Sequence, residues 1–283
     1  MRIDKYLVDK LDLSRSKIQE LIKNEKVLVN GKSVKNNYIV KDNDDVKVDG
    51  FIENNSEIIP QDIPIDVVYE DDYLMIINKK SGMVVHPGAG NYDSTLVNVL
   101  LYRFNLDKTN NIRPFIVHRL DKDTSGLMLI GKDEKTCDLL SSMISRKEVV
   151  RKYLAIVDGV INEDSGTIDA PIGRDKNNRL KYCITSINSK ESITHFRVLD
   201  RFNDKTLIEC ILDTGRTHQI RVHMEYIGHS VCNDPVYGNH KNTTEYGQYL
   251  HSYYIKFKHP ITNKLIEYKT DMPIEFKDYL ENN

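Results

Sequence analysis

The densest group of side chains suited to chemistry lies in residues 116–132, which read IVHRLDKDTSGLMLIGK. Two apolar, β-prone runs enclose a polar loop, 118–126, that carries an arginine, two aspartates, a threonine and a serine. Short loops held by strands are frequent sites of function because the strands fix their side chains. A carboxylate in this loop, Asp121, could act as a nucleophile or as a proton acceptor. The structural alternative is a surface hairpin with a turn capped by Asp123 or Ser125.

A phosphatase is a second interpretation of the same loop. DKDT is similar to the loop of phosphatases whose first aspartate attacks phosphorus beside a bound magnesium ion. That loop normally follows an unbroken apolar strand, whereas His118 and Arg119 directly precede Asp121 here. No later acidic pair is clearly suited to hold magnesium, which disfavours the phosphatase.

The segments around this loop alternate short β-prone runs with irregularly placed helices. VVYE and YLMIINK flank Asp71-Asp72 as an expected hairpin, and KYLAIVDG, TLIECIL and YYIKFKH are typical of strands. Apolar spacing predicts helices in TLVNVLLYRF, KTCDLLSSMISR and THQIRVHMEYIG. Locally paired strands with inserted helices favour an α+β fold with a mostly antiparallel, mixed sheet over a doubly wound parallel one.

Residues 1–50 have a pattern of their own, which predicts a small helix–helix–hairpin α+β domain. Apolar residues recur at helical spacing in two successive stretches, and Ser14 is placed as the N-cap of the second. The apolar positions are Ile3, Leu7 and Leu11, followed by Ile18, Leu21 and Ile22. Asn30-Gly31 between two β-prone runs predicts a tight hairpin.

The predicted domains are residues 1–50, a linker at 51–64 and a larger domain at 65–283. The linker, FIENNSEIIPQDIP, is acidic and contains two prolines. The net charge of −2 hides an asymmetry, because residues 1–35 hold nine Lys or Arg against five Asp or Glu, and residues 36–72 hold two against eleven. A phosphate-binding protein needs one basic face only, so the overall charge neither supports nor excludes RNA binding.

Composition bounds the remaining possibilities. With 40% apolar and 29% charged residues the chain is typical of a folded globular protein. No apolar run is long enough to cross a membrane, and the charged N-terminus lacks the apolar core of a signal peptide, so the cytoplasm is expected. The four cysteines lie far apart without a CxxC pair, and His218 and His223 lack zinc-ligand spacing, which predicts free thiols and no metal.

The N-terminal string RIDKYLVDK…LSRSKIQELI…VLVNGKSV resembles the S4-like RNA-binding domain over about residues 1–48. The resemblance favours RNA contacts over the simpler interpretation, in which basic residues only solvate amphipathic helices. The residues expected to bind RNA are Arg2, Lys5, Arg15, Lys17 and Lys23. Glu25 stands where the family usually carries a glycine, and Asn24 is expected to supply the left-handed turn instead.

The larger domain resembles the RluA-type pseudouridine synthases over about residues 65–275. HRLDKDTSGL matches the family motif HRLDxxTSG almost residue for residue, and RKYLAIVDG, DTGRTHQIRVHM, NDPVYG and YLHSYYIKFKHPITN follow in the family's order. The preceding INKKSGMVVHPGAGNYDSTLVNVLL is similar to the RluD-like branch, which modifies large-subunit ribosomal RNA. The resemblance implies a pseudouridine synthase fold, an RNA substrate, no cofactor and no metal. A monomer is also expected.

The resemblance also implies roles for individual residues. Asp121 matches the catalytic aspartate, Tyr153 the active-site tyrosine and Arg221 the conserved basic residue of the family. The residues expected to contact the substrate are His118, Arg119, which would enter the RNA stack as the base leaves, and Leu250, an apolar pocket residue. His118 is also expected to make a structural hydrogen bond within its motif.

Three positions depart from the family's pattern. Lys80 replaces the usual proline after Asn78-Lys79, and Ser252 stands where alanine is commoner. Gly247 stands where an arginine often precedes Gln248, which would remove one RNA contact.

The residue types suit the reaction that the resemblance implies. Pseudouridylation breaks the N1–C1′ bond, turns the uracil and joins C5 to C1′. A carboxylate could attack C1′ or assist proton removal at C2′, and the sequence leaves both routes open. A guanidinium such as Arg221 would keep Asp121 ionised. The alternative function is a non-catalytic RNA-binding protein of the translation apparatus.

Overall fold

The computed structural model describes residues 1–11, 15–41, 43–48, 58–88, 90–106, 116–178, 181–238 and 244–281. The chain separates into two compact units, Met1–Ser56 and Glu57–Asn283. The finer boundaries expected from the sequence, with a linker between two domains, remain predictions. The N-cap predicted at Ser14 lies outside the described residues.

The first unit consists of two helices and a small antiparallel sheet. Its elements are α1 (Ile3–Leu11), α2 (Arg15–Lys23), β1 (Val27–Val29), β2 (Lys32–Ser33) and β3 (Val46–Val48), with strand order β2-β1-β3. The apolar stripes of both helices pack on β1 to form the core of the unit. Ile3 and Ile18 are fully buried in this core, as the helical spacing predicted. The third strand was not part of the predicted helix–helix–hairpin.

Two turns of this unit depend on left-handed backbone conformations. Asn30 and Gly31 have φ angles of 53° and 76°, and they join β1 to β2 in the predicted tight hairpin. The turn after α2 differs from the prediction, because Glu25 and not Asn24 takes the positive φ angle, 57°. The amides of Glu25 and Lys26 return to carbonyls in the last turn of α2. Glu25 therefore adopts the conformation that glycine favours at this position.

The second unit is built around one large sheet. Within the described residues the sheet has nine strands in the order β4-β5-β6-β13-β7-β12-β11-β8, with β14 also paired to β13. These strands are β4 (Asp66–Glu70), β5 (Leu74–Lys79), β6 (Ser125–Gly131), β7 (Val150–Asp158), β8 (Ser165–Asp169), β11 (Ile193–Arg201), β12 (Lys205–Leu212), β13 (Leu250–Lys258) and β14 (Leu265–Lys269). A separate hairpin pairs β9 (Ile172–Arg174) with β10 (Tyr182–Ile184).

The strand directions confirm the predicted α+β class with a mostly antiparallel, mixed sheet. Only β6 and β13 pair in parallel among the described strands, through the register His251 to Ser125 and Ser252 to Gly126. Gly126 has a φ angle of 113°, and a Cβ there would lie 2.2 Å from the carbonyl oxygen of Ser252. A glycine is therefore required where the two strands approach.

Four helices complete the second unit: α3 (Leu96–Arg103), α4 (Glu134–Ser145), α5 (Gln219–Tyr226) and α6 (Ile274–Glu281). Helix α3 begins with a capping box, in which Thr95 and Asn98 satisfy each other's backbone amides. The side-chain amide of Asn98 also donates to the carbonyl of Ile59 at 2.8 Å. Part of the segment expected to be a linker is therefore hydrogen-bonded to this unit.

Candidate active site

A cavity of about 520 Å³ opens beside the 118–126 loop, between that loop and the start of α5. Its size is typical of small-molecule and nucleotide sites. The residues for which the sequence predicted catalytic or substrate-binding roles all line it: His118, Arg119, Asp121, Tyr153, Arg221 and Leu250. Their common location supports a single site, whereas their individual roles remain predictions.

The loop that carries Asp121 is fixed by two side chains at the end of β5 and just after it, Lys79 and Ser81. Ser81 Oγ lies within hydrogen-bonding distance of two carbonyl oxygens, that of Asp123 at 3.1 Å and that of Tyr246. Lys79, which is only 2% exposed, donates from Nζ to three carbonyl oxygens, each at 2.9 Å. These carbonyls belong to Lys80, Met83 and Lys122. The backbone of residues 80–83 is thus linked through the Lys79 ammonium to the 118–126 loop, which we call the active loop.

The charge on Lys79 is sensitive to pH near neutrality. Burial lowers the pKa of its ammonium group to about 7, although the carboxylates of Asp121 and Asp123 oppose this shift. Three donated hydrogen bonds require the protonated ammonium, because a neutral amine has only two N–H groups. The support that Lys79 gives to the loop therefore weakens as the pH rises above 7.

A second support comes from the segment before β13. Gln248 Nε2 donates to Thr124 Oγ1 at 3.0 Å. Gly247 beside it has a φ angle of 80°, and a Cβ there would lie 2.3 Å from Asp123 Cβ. The glycine at this departure from the family pattern has a packing reason, because a side chain would collide with the active loop.

Arg221 on α5 joins Asp121 to a second, deeper carboxylate. Its Nη1 donates to Asp121 Oδ2 at 2.8 Å, while Nε and Nη2 donate to the two oxygens of Asp234 at 2.7 and 2.8 Å. The side chain of Asp234 is fully buried, and that of Asp121 is 17% exposed. Asp121 and Arg221 both line the cavity and Asp234 does not, so of these two carboxylates it is Asp121 that a substrate can contact.

The electrostatics of the network keep its charges in place. Burial raises the pKa of Asp234, but the hydrogen bonds and charge of Arg221 and the amides of Val236 and Tyr237 outweigh it, so the pKa lies below its ordinary value. Burial likewise lowers the pKa of Arg221, and the two carboxylates raise it above its ordinary value overall. The guanidinium is therefore permanently charged beside Asp121.

His218 lies on the other side of Asp121. Its Nε2 is 3.9 Å from Asp121 Oδ1, and its Nδ1 is 2.8 Å from the Tyr237 hydroxyl. That hydroxyl accepts a hydrogen bond from the Tyr182 amide at 2.8 Å and has one proton of its own to donate. Burial lowers the pKa of His218, which favours the neutral ring. In the tautomer whose Nδ1 accepts from the Tyr237 hydroxyl, the ring proton resides on Nε2, on the side of Asp121.

The walls of the cavity come from the central strands. Tyr153 on β7 is 5% exposed and faces Ser252 on β13 and Cys210 on β12 in the register of the sheet. Leu250, the first residue of β13, is 4% exposed. Arg119 is exposed at the rim of the cavity. An aromatic ring and an apolar side chain on rigid strands suit the two faces of a planar base.

His118 has the structural role that the sequence predicted as well as a position in the cavity wall. Its Nε2 accepts a hydrogen bond from the Leu129 amide at 3.0 Å. Burial and the nearby charge of Arg151 lower the pKa of its ring to about 3, so the ring is neutral at physiological pH. With Nε2 as the acceptor, the proton resides on Nδ1.

The basic residues predicted to bind RNA are distributed over the first unit. Arg2, Lys5 and Lys23 are exposed. Arg2 also forms a 3.0 Å ion pair with the buried carboxylate of Asp4, which gives it a structural role. Arg15 and Lys17 lie in α2, and their side chains are outside the described part of the chain.

Sequence reasoning did not identify several residues of the site. Asp234 and Tyr237 belong to the NDPVYG segment, which had been noted only as a family motif. The sequence singled out His218 only as a zinc ligand to be excluded, and Arg151 only as a member of the family motif RKYLAIVDG. The available signal for Asp234 was its position as the acidic residue of the NDPVYG motif. Its distance of 13 positions from Arg221 follows no helical or strand period that would indicate contact between them.

The described residues contain neither a metal-binding cluster nor a membrane-spanning helix. No cluster of three or more His, Cys, Asp and Glu residues in this part of the chain is arranged to hold a metal ion. No helix among the same residues is both long and apolar enough to cross a membrane.

The chain is similar to known proteins over nearly its whole length. It is 44% identical over 284 residues to a Bacillus subtilis protein named "Uncharacterized RNA pseudouridine synthase YlyB", with 99% of this chain and 93% of that protein covered. It is 38% identical to the Escherichia coli K12 "Ribosomal large subunit pseudouridine synthase D", over 99% of this chain and 90% of that protein. A Zymomonas mobilis protein with the same name is 45% identical over 76% of this chain and 71% of its own length.

Structural comparison and family models agree with these relatives. "Human RNA Pseudouridylate Synthase Domain Containing 1" matches with a TM-score of 0.61 and 26% identity, covering 74% of this chain and 83% of that one. Residues 1–46 match the model of the S4 domain. Residues 73–226, which include Asp121, Tyr153 and Arg221, match the model described as RNA pseudouridylate synthase. This chain belongs to the RNA pseudouridylate synthase family, whose members are enzymes that isomerise uridine in RNA to pseudouridine, and it carries an S4 domain at its N-terminus.

Proposed function

We propose that this protein isomerises specific uridines of large-subunit ribosomal RNA to pseudouridine, with Asp121 as its catalytic carboxylate. The substrate is supported by relatives named ribosomal large subunit pseudouridine synthase D, which are 38% to 45% identical to this chain. The role of Asp121 is supported chiefly by one observation, the 2.8 Å contact that holds its carboxylate against Arg221 at the wall of the cavity.

The reaction requires only groups that the cavity provides. The N1–C1′ bond breaks and the C5–C1′ bond forms, C5 loses a proton and N1 gains one, so no oxidant, energy source or metal is consumed. The Asp121 carboxylate would attack C1′ or assist removal of the C2′ proton, and both are reactions that a carboxylate can perform. Arg221 would orient this carboxylate in either case, through the hydrogen bond of 2.8 Å from its Nη1.

The remaining cavity residues would hold the uracil while it turns. The ring of Tyr153 offers a stacking face, which contributes about 1–3 kcal/mol per base in proteins that bind single strands. Leu250 supplies an apolar contact from β13. The exposed Arg119 at the rim would occupy the gap that the base leaves in the RNA stack, where extrusion costs a few kcal/mol.

The S4 unit would bind the same RNA outside the cavity, through phosphates. Lysines that contact phosphates displace counterions from the RNA, so each contact makes binding more dependent on salt. Replacement of Lys5 and Lys23 by glutamine is expected to weaken ribosomal RNA binding and to reduce the slope of log Kd against log salt by about one unit per lysine. An unchanged slope would exclude both residues from the RNA contact.

The substrate is tested by mapping pseudouridines in ribosomal RNA. We expect one or more pseudouridines of the large-subunit RNA to be missing from a strain that lacks this protein and to reappear when purified protein is added to that RNA. An identical pseudouridine map with and without the protein would contradict the proposed substrate. A cytoplasmic location and a monomeric state are our further expectations, the second testable by sedimentation.

A further inference from the structure

Two polar groups in the cavity wall are buried without a hydrogen-bond partner among the described residues, the Nε of Arg151 and the Nδ1 of His118. Arg151 lies on β7, two residues before Tyr153, and is 7% exposed. Both atoms are donors, because Arg151 is a guanidinium and the His118 proton resides on Nδ1. Both residues line the cavity that contains Asp121.

Buried donors without partners are rare, and a buried charge without a partner is costly. The two groups are near enough for the charge of Arg151 to lower the pKa of His118. Gly215 passes beside the guanidinium, since a Cβ there would lie 3.8 Å from Nη1 and 3.9 Å from Nη2. Because Gly215 has no side chain, this edge of the guanidinium is not covered from that side.

The carboxylates that line the cavity are engaged by other cations. Asp121 is paired with Arg221 at 2.8 Å, and Asp213 is paired with Lys147 at 2.8 Å. The charge of Arg151 is therefore unbalanced within the described residues, and its natural ligand is an anion. A uracil carbonyl would satisfy the donors without balancing the charge, whereas a phosphate would do both.

We propose that Arg151 and His118 form a subsite for one backbone phosphate of the RNA, close to the uridine that enters the cavity. The inference rests on the proposed function, because it takes RNA as the ligand. Its effect is positional, since a phosphate contact fixes the register of an RNA strand without reading its sequence. Arg151 would thus set which nucleotide reaches Asp121.

A double cycle between protein variants and modified RNA tests this subsite. The RNA is the stem-loop of large-subunit ribosomal RNA that the protein binds most tightly, synthesised with one neutral methylphosphonate at a time. One position is expected to weaken binding to the wild-type protein on the order of tenfold, as for loss of a charge-assisted hydrogen bond. The methylphosphonate at that position should not weaken RNA binding by Arg151→Met any further, because this variant has already lost the contact.

Arg146→Met is the matched control. Arg146 is the C-cap residue of α4, pairs with Glu148 and does not line the cavity. It should show the full wild-type response to the methylphosphonate. If every position weakens binding to Arg151→Met and to the wild type by the same factor, the subsite is refuted. If Arg151→Met does not fold, Arg151→Lys takes its place, because lysine keeps the charge but lacks the buried Nε donor. Its response to the methylphosphonate should then be smaller than that of the wild type, and an equal response would refute the subsite.

The stability of the free protein separates this role from a structural one. Removal of an unpaired buried charge should leave the Tm of Arg151→Met equal to or above that of the wild type. A lower Tm together with an unchanged methylphosphonate response would assign Arg151 to the fold alone. Pseudouridine formation by the wild type on the unmodified stem-loop is measured in parallel. Its absence would contradict the proposed function, whereas the methylphosphonate response in binding tests the subsite alone.

Discussion

Arg221 and Asp234 form a buried bidentate ion pair, with Nε and Nη2 of the guanidinium 2.7 and 2.8 Å from the two carboxylate oxygens. Asp234 is itself fixed by the amides of Val236 and Tyr237 at 2.8 and 3.0 Å. The pair leaves Nη1 free to donate to Asp121, so Asp234 determines where the positive charge beside the Asp121 carboxylate lies.

Asp234→Asn is predicted to lower kcat with little change in KM. An amide presents one NH₂ group to the guanidinium, so one of the two hydrogen bonds is replaced by a donor–donor contact and Arg221 shifts away from Asp121. A shift of this kind in a group that orients the reacting residue should reduce kcat roughly 10- to 100-fold. Single-turnover and steady-state kinetics measure the two constants.

Asp164→Asn is the control for the loss of a carboxylate. Asp164 pairs with Arg201 at 2.7 Å, but its side chain is 91% exposed and does not line the cavity. It should retain wild-type kcat. A normal kcat in Asp234→Asn would show that Asp121 alone holds Arg221 in position.

Gly247→Ala is predicted to disturb the active loop. The new methyl group would collide with Asp123, in addition to the cost of a positive φ angle. Gly228→Ala isolates that second cost, because Gly228 has a φ angle of 87° and nothing lies within 4 Å of its Cβ position. We expect Gly228→Ala to lower the free energy of unfolding by about 1 kcal/mol, and Gly247→Ala by about 1–3 kcal/mol more, the usual cost of overpacking.

Chemical denaturation gives both free energies of unfolding, and the initial rate of pseudouridine formation gives the effect on the site. Activity should fall in Gly247→Ala and remain normal in Gly228→Ala. Equal losses of stability in the two variants would mean that Asp123 moves aside freely.

The buried Lys79 predicts a specific dependence of stability on pH. Its pKa is about 7 in the folded protein and 10.5 for an unperturbed lysine, so between these values the unfolded chain binds more protons. The free energy of unfolding therefore rises with pH in that window, by at most about 1.4 kcal/mol per pH unit for one group. Below pH 7 both states are protonated and this contribution is constant.

Lys79→Met removes the titrating group and serves as the reference. Urea unfolding of both proteins between pH 7.5 and 9.5 should give curves that diverge, with the wild type gaining stability relative to the variant. Parallel curves would indicate that the three carbonyl oxygens around Nζ keep the ammonium protonated throughout.

The sequence predicted the parts of this molecule that depend on local pattern. The hairpin of β4 and β5, the helices α3, α4 and α5, and the strands β7, β12 and β13 follow apolar periodicity and turn residues. The loop of Asp121 stood out because its polar residues interrupt apolar runs. The family resemblance predicted that Tyr153 and Arg221 belong to the same site as Asp121, and all three line one cavity.

What the sequence did not predict depends on contacts between distant segments. Asp234 pairs with Arg221 only because the chain after α5 folds back to that helix. Lys79 supports the active loop only because the end of β5 lies within hydrogen-bonding distance of Lys122. The left-handed turn was assigned to Asn24 by residue preference, but the return hydrogen bonds at the end of α2 place it at Glu25. The parallel pairing of β6 with β13 joins segments about 125 residues apart, which local patterns do not report.

The central claim is that the Asp121 carboxylate performs the chemistry, and Asp121→Asn tests it most directly. The amide keeps the size of the side chain and a hydrogen-bonding oxygen for Arg221, so folding and RNA affinity should be preserved. The measurement is the single-turnover rate of pseudouridine formation on ribosomal RNA that lacks the modification, at saturating enzyme. We predict a rate at least about 10⁴-fold below wild type, the scale of losing a catalytic nucleophile, whereas a rate within a few-fold of wild type would contradict the account.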